Sequence, residues 1–121
     1  MGITIRRTED HNGRAAVTRA AAEIDDAIRG SLFFTLLRHG VRADLVHVAL
    51  GRSEDASGVR HHCTVTGAVE GIGVFRVWGE SDGLHLAIER ALHRLEMWLV
   101  RERLTPRADA PRAAESVRRA A

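Results

Sequence analysis

ADLVHVAL (residues 43–50), VRHHCTVTGAV (59–69) and VFRVW (74–78) are three runs rich in valine and leucine. Only GRSEDASG (51–58) and EGIG (70–73) separate them. Apolar, β-branched runs bounded by glycine and small polar residues predict three strands, with a polar loop over 51–58 and a turn over 70–73. Links this short leave no room for a crossover, so the three strands must be antiparallel neighbours.

Upstream, Ile3-Thr4-Ile5 alternates and predicts a first strand. Asn12-Gly13 ends that segment and makes Asn12 the expected N-cap of a helix. Val17, Ala20, Ala21, Ile24 and Ile28 then recur at helical spacing. Gly30 is expected to kink or end this helix, with SLFFTLLRH (31–39) as a second helical piece stopped by Gly40. Downstream, Ser81 or Asp82 is the expected cap of a final helix. Leu84, Ile88, Ala91, Leu92, Leu95 and Leu99 form its apolar stripe, which fades near Arg103. Pro106 and Pro111 lie in an Ala/Arg-rich tail, residues 105–121, expected to be mobile.

The order β-α-β-β-β-α predicts an α+β domain over residues 1–104. A four-stranded sheet would carry two helices packed on one face, the other face being left to water or a partner. At 121 residues and 45% hydrophobic content the chain fits one domain. Cys63 is the single cysteine, which excludes an intramolecular disulfide and fits a reducing compartment. No targeting segment and no bilayer-spanning apolar run is read, so the expectation is a cytoplasmic protein without membrane contact.

Net charge is only +2, and all 18 basic residues are arginine. Every cationic contact is therefore made by a planar guanidinium, which suits phosphate and carboxylate. Arg90, Arg94 and Arg101 stand at i, i+4 and i+11, on one helix face away from the leucine stripe. Arg103 and Arg107 follow, and from residue 101 onward six arginines stand against three acids. This pattern fits a phosphate-contacting surface, but on pattern alone a solvated helix face is the favoured reading. Met97 interrupts the basic face. Trp98 lies beside the core stripe. Trp78 alternates with Phe75 and Val77, so either it or they face the helices, and an exposed Trp78 would suggest protein association.

His85, Glu89 and His93 share a helix face, and His61-His62-Cys63 sit together on a strand. Neither set has the spacing of a zinc motif, and alternation turns His62 away from His61 and Cys63, so no metal is expected. Cys63 reads as a small buried hydrophobe. No GxSxG, P-loop or paired-carboxylate pattern occurs. The expectation is a protein without cofactor and without catalytic residues.

The element order resembles that of the ribosome hibernation-promoting factor family, also called the ribosome-associated inhibitor or sigma-54 modulation family. The residues carrying the resemblance are Asp82–Glu89 (DGLHLAIE), Leu92–Glu96 (LHRLE), Leu99 and Arg101. Leu45–Leu50 (LVHVAL) is similar to the family's second strand, and Thr8–Arg14 (TEDHNGR) to the opening of one branch. The resemblance implies a ribosome-associated translation regulator of the stress response. It would bind the small ribosomal subunit near the decoding region by rRNA phosphate contacts and block mRNA and tRNA sterically. Arg94, Arg101 and Arg103 match basic positions of the family's last helix. Arg90, Arg107, Arg14 and Arg29 complete the RNA-binding candidates. Met97 and Val100 stand where arginine or lysine is common, and the segment 30–42 is longer than in the branch it resembles. With only the tail after the last helix, the chain reads as a short form. The alternatives are a protein-interaction module of the same fold, a homodimer through the open sheet face or Trp78, and a general double-stranded RNA binder.

Overall fold

Alternation of Ile3 and Ile5 with Thr4 and Arg6 places a first strand, β1 (Gly2–Arg7), at one margin of the sheet. The structure, a computed structural model, describes residues 2–7 and 19–104. The expected cap Asn12 and the tail 105–121 lie outside the described residues. Next come α1 (Arg19–Arg38), β2 (Ala43–Asp55), β3 (Gly58–Val69), β4 (Gly73–Ser81) and α2 (Leu84–Leu104).

The four strands lie in the order β1-β2-β3-β4. β2, β3 and β4 are antiparallel neighbours, as their short links require. β1 runs parallel to β2, pairing Ile3 with Val46 and Ile5 with Val48, so α1 belongs to the crossover between them. Val48, Val65 and Val77 fall in one cross-strand row and are all buried. Ile28, Leu32 and Leu36 of α1 and Ala91, Leu95 and Leu99 of α2 join them in a single core. Both helices therefore cover the same sheet face. The fold is the α+β architecture expected.

Three boundaries differ from the sequence reading. Helix α1 runs unbroken through Gly30. Gly30 is exposed, while Ile28 and Leu32 on either side are buried. Burial of those flanks outweighs a propensity cost of about 1 kcal/mol. The helix ends at Gly40 as expected. With φ at 66°, Gly40 turns the chain so that Gly40 N–H donates to Leu37 O (2.9 Å) and Val41 N–H to Leu36 O (3.0 Å).

The polar segment 51–58 is strand rather than loop, closed by a tight turn at Ala56-Ser57. Asp55 accepts from the Ser57 backbone N–H (2.8 Å) and hydroxyl (2.7 Å). These bonds hold its carboxyl below the usual carboxylate range. This end of the hairpin is mostly exposed, so no apolar alternation marks it in the sequence.

β4 also continues past Trp78 to Ser81. The cap position of α2 falls to Gly83, whose carbonyl accepts from Ala87 N–H (3.0 Å). Neither Ser81 nor Asp82 occupies it. The Ser81 hydroxyl instead accepts from Gly83 N–H (3.3 Å) and donates to Asp82 (3.2 Å).

Two glycines make room for close packing. A Cβ at Gly79 would stand 2.3 Å from Ala87 O and 2.5 Å from Ala91 N, so α2 rests backbone-on-backbone against β4. A Cβ at Gly67 would meet the Phe75 ring at 3.0 Å. That ring packs on Trp98 at 5.4 Å between centroids, which places Trp98 against the core and Trp78 on the open face.

Gly79→Ala should lower stability by about 3 kcal/mol, since backbone rather than a yielding side chain must move. Gly30→Ala, whose Cβ meets nothing within 4 Å, should raise it by about 1 kcal/mol. Urea denaturation midpoints of the two variants check both.

Candidate nucleic-acid interface

An edge strand leaves every second carbonyl without a partner. On β4 these carbonyls include those of Trp78 and Glu80, and α2 lies close enough to supply donors. Arg90 Nη1 donates to Glu80 O (2.8 Å), and Arg94 Nη1 donates to Trp78 O (2.9 Å). The Arg94 guanidinium also sits 5.5 Å from the centroid of the Trp78 ring, within cation–π range. Both arginines are thus fixed along the strand and remain exposed.

Arg101 continues the line of Arg94 on the helix and is exposed. Arg103 does not join that line. It stands on the opposite side of α2 and donates through Nη1 to His39 O at the end of α1. Arg29 is exposed on α1, 4.0 Å from Asp26. Arg14 and Arg107 lie outside the described residues. Met97 is exposed between Arg94 and Arg101, and Val100 is half-buried.

The ends of the helices are tied by one carboxylate. Glu96 of α2 accepts from Arg38 Nη2 (2.7 Å) and lies 3.3 Å from His39 Nε2. The Arg38 bond, with help from His39, holds the Glu96 carboxyl below its usual range. At the other end of α1, Arg7 Nη2 lies 2.8 Å from Asp25 Oδ1, an ionic contact without hydrogen-bond alignment, and ties β1 to the helix.

Other groups singled out in the sequence have separate environments. His85 pairs with Glu89 at 2.9 Å on an exposed helix face. Cys63 is fully buried, and burial pushes its thiol up to about 11. Among the described residues no three histidine, cysteine or acidic side chains converge as a metal site.

The sequence reading missed two groups on the sheet face turned away from the helices. Ser53 Oγ lies 3.0 Å from His62 Nε2, His62 Nδ1 lies 3.1 Å from Glu80 Oε2, and Arg60 reaches the other Glu80 oxygen at 3.3 Å. This exposed chain links β2, β3 and β4 side by side. Further along the same face, Arg6, His47 and Arg76 surround a depression of about 520 Å³ with Thr4, Thr64 and Thr66. Strand parity was the signal for both groups. Once Val46, Val48, Val65 and Val77 are assigned to the core, their alternates must face outward. A third exposed feature is apolar: Phe33, Phe34 and Leu37 on α1 are each more than half exposed.

The molecule is thus a β-α-β-β-β-α protein with one covered and one bare sheet face, and with guanidinium groups on its last helix and on the bare face. Among solved structures, the Protein Y N-terminal domain of Thermus thermophilus aligns with a TM-score of 0.57 at 22% identity, over 83% of this chain and 93% of that one. A ribosomal subunit interface protein from Coxiella burnetii aligns with a TM-score of 0.56 at 14% identity, over 87% of this chain and 100% of that one. The fold implied by the family resemblance is the fold these structures share with this chain. Sequence comparison finds no matching family profile and no matching curated protein. No helix among the described residues is long and apolar enough to cross a membrane.

Because Glu96 titrates lower in the folded protein, its contribution to stability is full above the usual glutamate pKa. It is lost as pH falls through the lowered folded value. Glu96→Gln is expected to lower stability at neutral pH and to flatten the loss between about pH 5 and pH 3. Urea midpoints across that range test it.

Proposed function

We propose that the protein is a ribosome-associated factor of the hibernation type, acting in the cytoplasm. It docks on the small ribosomal subunit near the decoding region and occupies space that mRNA and tRNA need. No bond is made or broken, and inhibition is steric. The observation that carries this reading is the fold shared with a ribosomal subunit interface protein over that protein's whole length.

Arginine positions support it. Arg90 and Arg94 each anchor one nitrogen on β4, which holds the rest of the planar cation toward solvent without the entropy loss a free side chain would suffer. Arg101 extends their line, and Arg29 adds a cation on α1. Arg103, turned to the end of α1, can reach phosphate only on the far side of the helix. The interruption at Met97 and Val100 makes this a sparse basic surface whose affinity depends strongly on salt.

A second reading, a protein-interaction module of the same fold, draws on the exposed Phe33, Phe34 and Leu37.

Co-sedimentation with ribosomes across a salt series distinguishes the two. The protein should travel with the small subunit at low salt and be released as salt rises. A variant combining Arg94→Ala, Arg101→Ala and Arg103→Ala should stay in the supernatant, and any residual binding should have a salt slope smaller by about 2. Wild-type protein absent from ribosomes at low salt overturns the proposal, and its dimerisation in light scattering would then support the second reading.

A further inference from the structure

The bare sheet face has a chemistry of its own. Two cross-strand rows define it: Thr4, His47, Thr66 and Arg76 in one, Arg6, Ala49, Thr64 and Trp78 in the next. Arginines stand on the two outer strands, and His47, Ala49 and two threonines stand in the middle. Four strands side by side span about 14 Å, so the result is a trough with a low centre and basic walls.

Among the described residues no carboxylate neutralises the charge in this trough. Arg7, Arg29, Arg38 and Arg60 each lie beside a carboxylate, but neither Arg6 nor Arg76 pairs with one among the described residues. No acid lines the depression. Three threonine hydroxyls and His47 add short-range polar contacts between the two guanidiniums.

Trp78 completes the surface. It shares a row with Arg6 and is 54% exposed. Arg94 fixes it twice, through the bond to Trp78 O and through its guanidinium against the ring. An exposed, pre-positioned indole beside unpaired arginines is the combination that binds a nucleobase and its phosphates together. A duplex keeps its bases stacked on one another and offers no free face to such a ring. A second copy fits poorly, because a two-fold contact through this face would bring the cationic Arg6 and Arg76 of both copies together.

We propose that the open face of the sheet is a single-stranded RNA-binding surface, which shares with the α2 arginines only Arg94, the residue that holds Trp78 in place. Arg6 and Arg76 hold phosphates, Trp78 stacks on a base, and the threonine hydroxyls face the sugar edge. This surface requires no ribosome and does not depend on the ribosomal reading.

The test is fluorescence anisotropy of the full chain with a labelled uridine decamer, beside an RNA duplex of equal length, over a salt series. The decamer should bind more tightly than the duplex. Arg6→Ala with Arg76→Ala should weaken it at least tenfold and reduce the salt slope by about 1.4. Trp78→Leu should weaken it about tenfold with the slope unchanged, and Trp78→Phe should retain most of the binding. Urea midpoints establish that each variant is folded.

Equal affinity for duplex and decamer, or decamer binding that survives the Arg6/Arg76 change in a folded variant, overturns the proposal. So does wild type that binds no decamer but forms a dimer lost on Trp78→Leu, which would make this face a self-association surface. Protein that co-sediments with ribosomes yet binds no decamer overturns this inference and leaves the ribosomal reading standing. Decamer binding without co-sedimentation supports this inference alone.

Discussion

The contact between Gly79 and the backbone of α2 at Ala87 and Ala91 sets the geometry of this half of the molecule. With no side chain between them, helix and strand meet at the shortest separation that two backbones allow. Ala87 and Ala91 are fully buried because that contact leaves room for nothing larger. Moving outward from it, Leu95 and Leu99 are laid into the core, and Trp98 is brought against Phe75. The same closeness lets Arg90 and Arg94 reach the outer carbonyls of β4. Packing distance thus decides where two of the arginines on α2 can go.

Much of this architecture was legible in the sequence because burial imposes a period. The leucine and alanine stripe of α2 and the valines of β2, β3 and β4 must keep one face inward, and that requirement is written as spacing. Where both faces of a segment meet water, as in Arg52 to Asp55, no period survives, and strand looked like loop. Gly30 misled for a related reason. A helix breaker by propensity was overruled by Ile28 and Leu32, whose anchoring on the sheet is a tertiary fact. The run read as the third strand stopped at Trp78, one residue short of Gly79, whose role is to admit a helix.

Charge was harder to place than apolarity. Helical spacing correctly lined up Arg90, Arg94 and Arg101, but it carries no information on what a long side chain bends toward. Arg94 turned out to hold an indole and a carbonyl, and Arg103 the His39 carbonyl just beyond α1. Conversely Arg6 and Arg76 are separated by 70 positions in the chain and lie in separate strands, so nothing local joins them. Only the pairing register, with β1 parallel to β2 at one margin and β4 at the other, brings them to the same depression.

The two guanidiniums lying along β4 have a bearing on how copies of this chain can associate. The outward carbonyls of Trp78 and Glu80 are already bonded, so this stretch of β4 offers less to an incoming backbone than a bare edge would. Propagation of a sheet from molecule to molecule needs two open margins per molecule. With two carbonyls of one margin occupied, joining of strand to strand through β4 is hindered by side chains that leave most of their charge in water.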